Sequence, residues 1–510
     1  MADTTPAAGP LEASLLRICS EHLDLDGIHP SDDLFELGAD SLTAIRITTA
    51  VRAQHGPDLP GDLVFRFPTV AKLFAYLGAN GGTATSPEPV AARRSSAVPL
   101  TYSQERMWLL HELAGDQVAG NVVVRFDVTG RFDFDALRSA FETLARRHDV
   151  LRMTFHEKDS TVTGVVGQAD VPVRMWAGEE RVRELVSAGA TSRYDLSAAP
   201  PWSVSVIRRG PADHVILLNY HQILLDAWGL EVLLAELGEC YSGRSPDLSP
   251  VRRGIADVAR EWREWTDTPV AGERLDHWLR SLAGAPERLD FATARRRPGI
   301  RDGRGRAETF EVDDDLTARL RLAARQRGHT VFPLLLTGFA QMLHSYTGTG
   351  DLVIGVPFAN RLRPGSERVV GCLVNMLPVR VRVPVGSSGA DVLDAVLQAM
   401  LAAHADQEIA LETIVEHLRP NRTVEHAPVF QVSFGFEPPA LTRLRLAGAS
   451  VAGSFVPTGR ARFDLAMMLT PASGGYEGCA EYATDLLDQA TVREMIAAWR
   501  TAVHSLLNGL

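Results

Sequence analysis

Three places in this chain carry side chains whose types and spacing could do chemistry. The segment His221-Gln222-Ile-Leu-Leu-Asp226-Ala227-Trp228 sets an imidazole, an amide and a carboxylate close together. An imidazole titrates near neutrality and can move a proton, whereas a carboxamide donates and accepts hydrogen bonds but is no base near pH 7. Asp226 sits among apolar residues and needs a cation beside it, for which Arg361 is the candidate. Asn375 stands inside Val370-Gly-Cys-Leu-Val-Asn375-Met-Leu, either as an orienting group or as a buried hydrogen-bonded one. Ser41 follows Asp40 where a helix begins, so its hydroxyl lies at a positive dipole end that favours an anion. The plainer readings are an N-cap for Ser41 and a packing histidine for His221. Histidines show no H-E-x-x-H spacing, and Cys19, Cys240, Cys372 and Cys479 show no C-x-x-C spacing. Neither a metal site nor a disulfide framework is expected.

The elements that position these residues fall into more than one folding unit, since 510 residues exceed what one core holds. Residues 11–80 read as a small helical unit: Leu11, Leu15, Leu16 and Ile18 begin one helix face. Leu42, Ile45 and Thr49 share a face after Ser41, and Val70, Leu73, Phe74 and Leu77 follow Pro68. A linker rich in small residues covers 81–97. Beyond it, strands are expected over Val122–Val128, Val215–Tyr220, Leu352–Val356, Leu377–Val383 and Val429–Phe436, with helices between them. Two α/β lobes are expected, with boundaries at 98–270 and 271–510. The net charge is −11, and residues 1–80 hold 11 acidic and 5 basic residues, a net of −6. That balance argues against nucleic acid and for docking onto basic protein surfaces. No apolar run reaches the roughly 18–20 residues that span a bilayer, and the first residues lack a signal-peptide pattern. A cytoplasmic address without membrane contact is expected.

Asp33-Leu-Phe-Glu-Leu-Gly-Ala-Asp40-Ser41-Leu resembles the attachment motif of acyl and peptidyl carrier proteins, D-x-F-F-x-L-G-G-D-S-L, with Ala39 in place of the second Gly. An ordered series behind it resembles the core motifs of nonribosomal peptide condensation domains. The series runs through Ser103-Gln-Glu-Arg106-Met-Trp108, Arg147-His-Asp-Val-Leu-Arg152-Met-Thr-Phe155, His221 to Trp228, Gly254 to Trp262, Val370 to Asn375, Asp406 to Glu412 and Arg422 to Phe430. The resemblance implies a small all-α four-helix carrier domain over 1–80. Behind it would come an α/β condensation domain of two chloramphenicol-acetyltransferase-like lobes in a V, with a tunnel between them. It implies 4'-phosphopantetheine held covalently on Ser41, with Asp40 beside it. Implied partners are a phosphopantetheinyl transferase, an adenylation protein loading in trans, and a downstream carrier or free amine as acceptor. A monomer is expected. The resemblance extends to small stand-alone subunits of tuberactinomycin-type assembly lines.

The family pattern H-H-x-x-x-D-G places its second His at the tunnel centre, where it positions the acceptor amine and takes its proton. Here Gln222 holds that place, and Ala227 replaces the Gly, a change expected to alter loop geometry. The site residues carried over are Gln222, His221, Asp226 and Asn375, with Arg152, Arg361 and Trp228 as structural support. Losing a general base costs about 10²–10⁴-fold in rate, while positioning by hydrogen bonds can persist. Three functions stay open: amide formation with this altered motif, modification of the tethered residue such as dehydration, and a docking platform for tailoring enzymes.

Overall fold

The computed structural model describes residues 10–510 apart from 40, 57–58, 81–96, 116–117, 245–247, 249, 293–294, 296, 299–301, 420–425 and 473. Asp40, the Ser41 side chain, Arg422 and nearly all of the expected linker lie outside the described residues. Residues 10–80 form α1 (Pro10–Leu23), α2 (Ser41–His55), α3 (Leu63–Arg66) and α4 (Val70–Asn80). Leu15 and Ile18 of α1 meet Ala44, Ile47 and Val51 of α2 and Leu73 of α4 in one small core. The single-turn α3 is too short for periodicity to reveal. Gly38 takes φ +108° just before α2, a conformation glycine adopts without strain.

The next stretch holds β1 (Ala97–Pro99), α5 (Tyr102–Leu113), β2 (Asn121–Gly130), α6 (Phe134–Arg147), β3 (Met153–Lys158), β4 (Thr161–Val166) and β5 (Val173–Ala177). It continues with α7 (Glu180–Thr191), β6 (Trp202–Gly210), β7 (Asp213–His221) and α8 (Ala227–Tyr241). Then follow α9 (Ile255–Thr266), α10 (Pro269–Leu282), β8 (Gly305–Val312), α11 (Asp314–Gln326), α12 (Val331–Thr347), β9 (Asp351–Phe358) and β10 (Asn375–Arg382). The chain closes with α13 (Gly389–Ala405), α14 (Leu411–Leu418), β11 (Val432–Phe436), β12 (Ala449–Val456), β13 (Leu465–Ala472), β14 (Gly475–Ala483) and α15 (Gln489–Gly509).

Among the described residues these strands make three sheets, ordered β1-β4-β3, β12-β2-β7-β6-β5 and β10-β9-β11-β13-β14-β8. Every expected strand is present within a few residues of its place. β7 is apolar almost throughout because both its faces are covered. Ile216, Leu218 and Tyr220 pack with Leu230, Leu233, Leu234 and Leu237 of α8, and Val215 and Leu217 pack with Val182 of α7. The two large sheets draw mainly on the two halves of the chain, with one exchange. β12 comes from the second half and pairs with β2 antiparallel, from Ala449↔Gly130 to Val456↔Val123. No helix among the described residues is long and apolar enough to cross a membrane.

Candidate active site and carrier contact

The segment from β7 to α8 is fixed by Asp226. Its carboxylate caps α8 by accepting from the Gly229 N–H at 2.6 Å, and it accepts from Leu373 N–H at 2.8 Å and Val374 N–H at 3.0 Å. Arg361 donates to the same carboxylate at 2.8 Å, and its other amino group donates to the Ser366 and Val369 carbonyls, each at 2.8 Å. Both side chains are buried. The loop between β9 and β10 therefore reaches out of the second half and locks onto the first, carrying Val369, Val370 and Leu373 into its core. α5 closes the seam. The Thr101 hydroxyl donates to Cys372 O at 2.9 Å, Ser103 to Val374 O at 2.6 Å and the Gln104 amide to Ile223 O at 3.2 Å. Motifs more than a hundred residues apart in sequence thus meet at one place.

His221 ends β7 as a buried, neutral ring. Its Nδ1 accepts the Ile223 N–H at 3.1 Å, which leaves the ring proton on Nε2. Burial, with His111 next to it, pulls its pKa down to about 3. The two imidazoles lie edge to face at 5.1 Å, and Gly120 packs against the His221 ring. Such a ring holds the loop and exchanges no proton near pH 7. Gln222 is half-buried, and its backbone N–H donates to Gly120 O at 2.7 Å. Its carboxamide makes no hydrogen bond to protein among the described residues, so both amide groups are free to meet a bound molecule. Ala227 is the first helical residue of α8 and lacks a positive φ, so the glycine of the family pattern is not required here.

The other site candidates form their hydrogen bonds with other segments of the chain. Asn375 starts β10 and donates to the Gln407 and Ile409 carbonyls at 3.0 and 2.7 Å, while accepting from Leu411 N–H at 3.2 Å. It clamps the turn between α13 and α14. Arg152 donates to Gly167 O at 2.7 Å and pairs with Asp149, touching neither the Asp226 carboxylate nor the His221 ring. Trp228 donates to Glu367 O at 2.9 Å and lies beneath the Arg361 guanidinium at 5.5 Å.

Trp228 also receives the carrier. Ile45 packs with Trp228 and Leu362 rather than inside the carrier, whose own α2 core face is Ala44, Ile47 and Val51. The face that Ile45 shares with Thr49 is thus a docking face. The Thr49 hydroxyl donates to Arg361 O at 2.7 Å, and Phe65 stacks on His404 at 4.2 Å. Arg46 lies over Trp228 at 4.8 Å and donates to Glu231 at 3.3 Å. Arg52 donates to Glu408 at 3.2 Å, and both are 2% exposed. The acidic balance of residues 1–80 predicts docking onto a basic surface. Within the chain, two of the carrier's five bases, Arg46 and Arg52 on α2, meet carboxylates instead. The signal lies in Ile45, Arg46, Thr49 and Arg52 on one side of a helix.

The start of α2 at Ser41 fits a phosphopantetheine, since the positive dipole end of a 15-residue helix favours a phosphodiester there. The family described as phosphopantetheine attachment site matches residues 13–77, and the condensation domain family matches residues 94–509. A dimodular nonribosomal peptide synthase of Bacillus subtilis is 31% identical over 507 residues, covering 95% of this chain and 21% of that protein. CymA of Salinispora arenicola, a probable non-canonical nonribosomal peptide synthetase, is 30% identical over 524 residues, covering 99% of this chain and 7% of that protein. The chain therefore spans only a small part of these curated relatives. Among solved structures, the X-domain from teicoplanin biosynthesis superposes with a TM-score of 0.72 at 25% identity, covering 83% of this chain and 97% of that one. The condensation domain of the Monacolin K polyketide synthase MokA gives 0.71 at 19% identity, covering 81% and 97%, and so shares the fold. With a phosphopantetheine attachment domain in front and the condensation fold behind, the chain belongs to the condensation domain family of nonribosomal peptide synthetases.

Proposed function

We propose that this chain is a carrier–condensation unit, divided as 1–80 carrier, 81–97 linker, and 98–270 and 271–510 lobes. In it Ser41 bears the phosphopantetheine, and the condensation domain transfers the cargo to an amine. When bound, that group supplies the thiol that holds the acyl group as a thioester. An adenylation protein loads it in trans, and the acceptor is an amine on a downstream carrier or free in solution. One observation carries the reading: the carrier docks on Trp228 and Arg361, the residues that hold the Asp226 loop and hence Gln222. Gln222 acts by position alone, its Oε1 accepting from an incoming N–H and its Nε2 donating to a carbonyl oxygen that gains charge. A neutral amine needs little proton removal before it attacks, so a site without a base is slowed by about 10²–10⁴-fold rather than silenced. Asp226, Arg361 and His221 keep the loop in place, and the buried His221 ring exchanges no proton near pH 7.

A second reading is a docking platform. It is favoured by the missing base and by likeness to an X-domain solved in complex with OxyB from teicoplanin biosynthesis, at 26% identity and a TM-score of 0.72 over 84% of this chain and 96% of that one. Intact-mass analysis separates the two. Holo protein loaded with an aminoacyl group is mixed with an acceptor amine, alongside Gln222→Ala, Gln222→His and Ser41→Ala. Amide on the acceptor from the wild type supports transfer. No amide from the wild type but amide from Gln222→His supports the platform. Loss of water from the cargo without transfer supports a modifying enzyme. Absence of the phosphopantetheine mass on the wild type overturns the role of Ser41.

A further inference from the structure

The docking face of α2 is built for charge as well as shape. Ile45, Thr49 and Arg52 follow one another at helical spacing, with Arg46 beside them. Each arginine meets a carboxylate that the condensation domain already holds with its own cations. Arg443 donates to Glu231 at 2.8 Å. Arg274 donates to Glu408 at 3.1 Å, and Arg363 pairs with it at 3.0 Å. Both carboxylates therefore stay compensated when the carrier is away, so they form a standing receptor. A carrier arriving without Arg46 and Arg52 would bury the rim of Trp228 while adding nothing to either carboxylate. One bearing acids there would meet Glu231 and Glu408 directly, and like charges in contact repel.

We infer that Glu231 and Glu408 select which carrier donates to this condensation domain, by reading an Ile-Arg-x-x-Thr-x-x-Arg stripe on the second carrier helix. The inference rests on the reading of this carrier as donor. Because Arg274 and Arg363 share Glu408 with Arg52, the carboxylate keeps its cations when the carrier leaves. Within one chain the tether supplies a high effective concentration, so a weak contact suffices in cis and the stripe serves to exclude other carriers.

Lys72 and Lys158 are the only lysines, are both exposed, and lie on the carrier and the condensation domain respectively. With the α-amino group acetylated, an amine-reactive donor–acceptor dye pair on the full chain reports docking without any transfer. Arg46→Glu with Arg52→Glu should abolish the docked energy transfer, and the milder Arg46→Gln with Arg52→Gln should reduce it. That undocked double variant, with its surface vacant, is then offered a stand-alone acyl carrier protein of unrelated origin, followed by fluorescence anisotropy. Grafting the four-residue stripe onto its second helix should tighten binding about tenfold, and added salt should reverse the gain. Equal binding with and without the stripe, or docking that survives Arg46→Glu with Arg52→Glu, overturns the inference. Normal docking with no transfer counts against the donor reading alone.

Discussion

Breaking the Asp226–Arg361 pair from one side should unfold the site more than any other single change. Asp226→Asn keeps the size of the side chain but removes the charge opposite a fully buried guanidinium. It also turns an NH2 toward one of three amide donors, Gly229, Leu373 or Val374, which the carboxylate now accepts. Losing one partner of a buried pair costs about 3–5 kcal/mol. The donor facing a donor adds about 1–3 kcal/mol as an unsatisfied buried group. Arg361→Met should cost a similar amount, because the Ser366 and Val369 carbonyls lose their donor together with the ion pair. The double variant Asp226→Asn with Arg361→Met should cost less than the sum of the two singles by about 2 kcal/mol or more, since it strands no charge. All eight tryptophans, Trp108 to Trp499, lie beyond residue 80, and seven lie away from the Ile45–Arg46 contact on Trp228, so urea unfolding followed by tryptophan fluorescence reads chiefly the condensation domain. A single-variant loss below about 1 kcal/mol, or strict additivity in the double, would refute the frame described here.

Three further outcomes follow from the same geometry. Gly229→Ala places a Cβ 2.6 Å from Gly371 O, where neither backbone can yield cheaply, and should lower the midpoint of urea unfolding by an amount typical of overpacking, about 1–3 kcal/mol. Asn375→Ala removes all three bonds to the turn after α13, and the exposure of that turn to hydrogen exchange should rise by at least about tenfold. His221 has an unfolded pKa of about 6.5 and a folded pKa of about 3, so the folded state binds fewer protons. Its contribution is complete above about pH 6.5 and is lost as pH falls toward 3, and His221→Gln should flatten the acid limb of a stability–pH curve over that window.

The parts legible in the sequence are those with local signatures. β7 and α8 declare themselves through an unbroken apolar run and a leucine stripe, and Asp226 and Arg361 through the need of a buried charge for a partner. The helix start at Ser41 follows from local capping chemistry. What stays hidden depends on placement across long separations. Glu408 lies in a loosely matching motif, yet only the fold brings Arg52, Arg274 and Arg363 to it. Ile45 reads as core in a helical pattern, because periodicity shows that a face is apolar and not what covers it. Asn375 is as able to serve a tunnel as a turn by its sequence, and only its three partners decide. Arg152 belongs to a recognisable motif but supports Asp149 and Gly167 rather than the active loop.

The strand exchange at β12 bears on how the chain is made. β2 is complete once Gly130 has been synthesised, but its outer edge stays uncovered until Ala449–Val456 arrives more than three hundred residues later. At roughly 5–20 residues per second, that edge waits tens of seconds on the ribosome. An open strand carrying Val122, Val124 and Phe126 is a template for wrong pairing. The first lobe therefore cannot finish on its own. Nascent chains cut short before residue 449 should aggregate or recruit chaperones, and the two lobes should reach the native state together in a late, shared step.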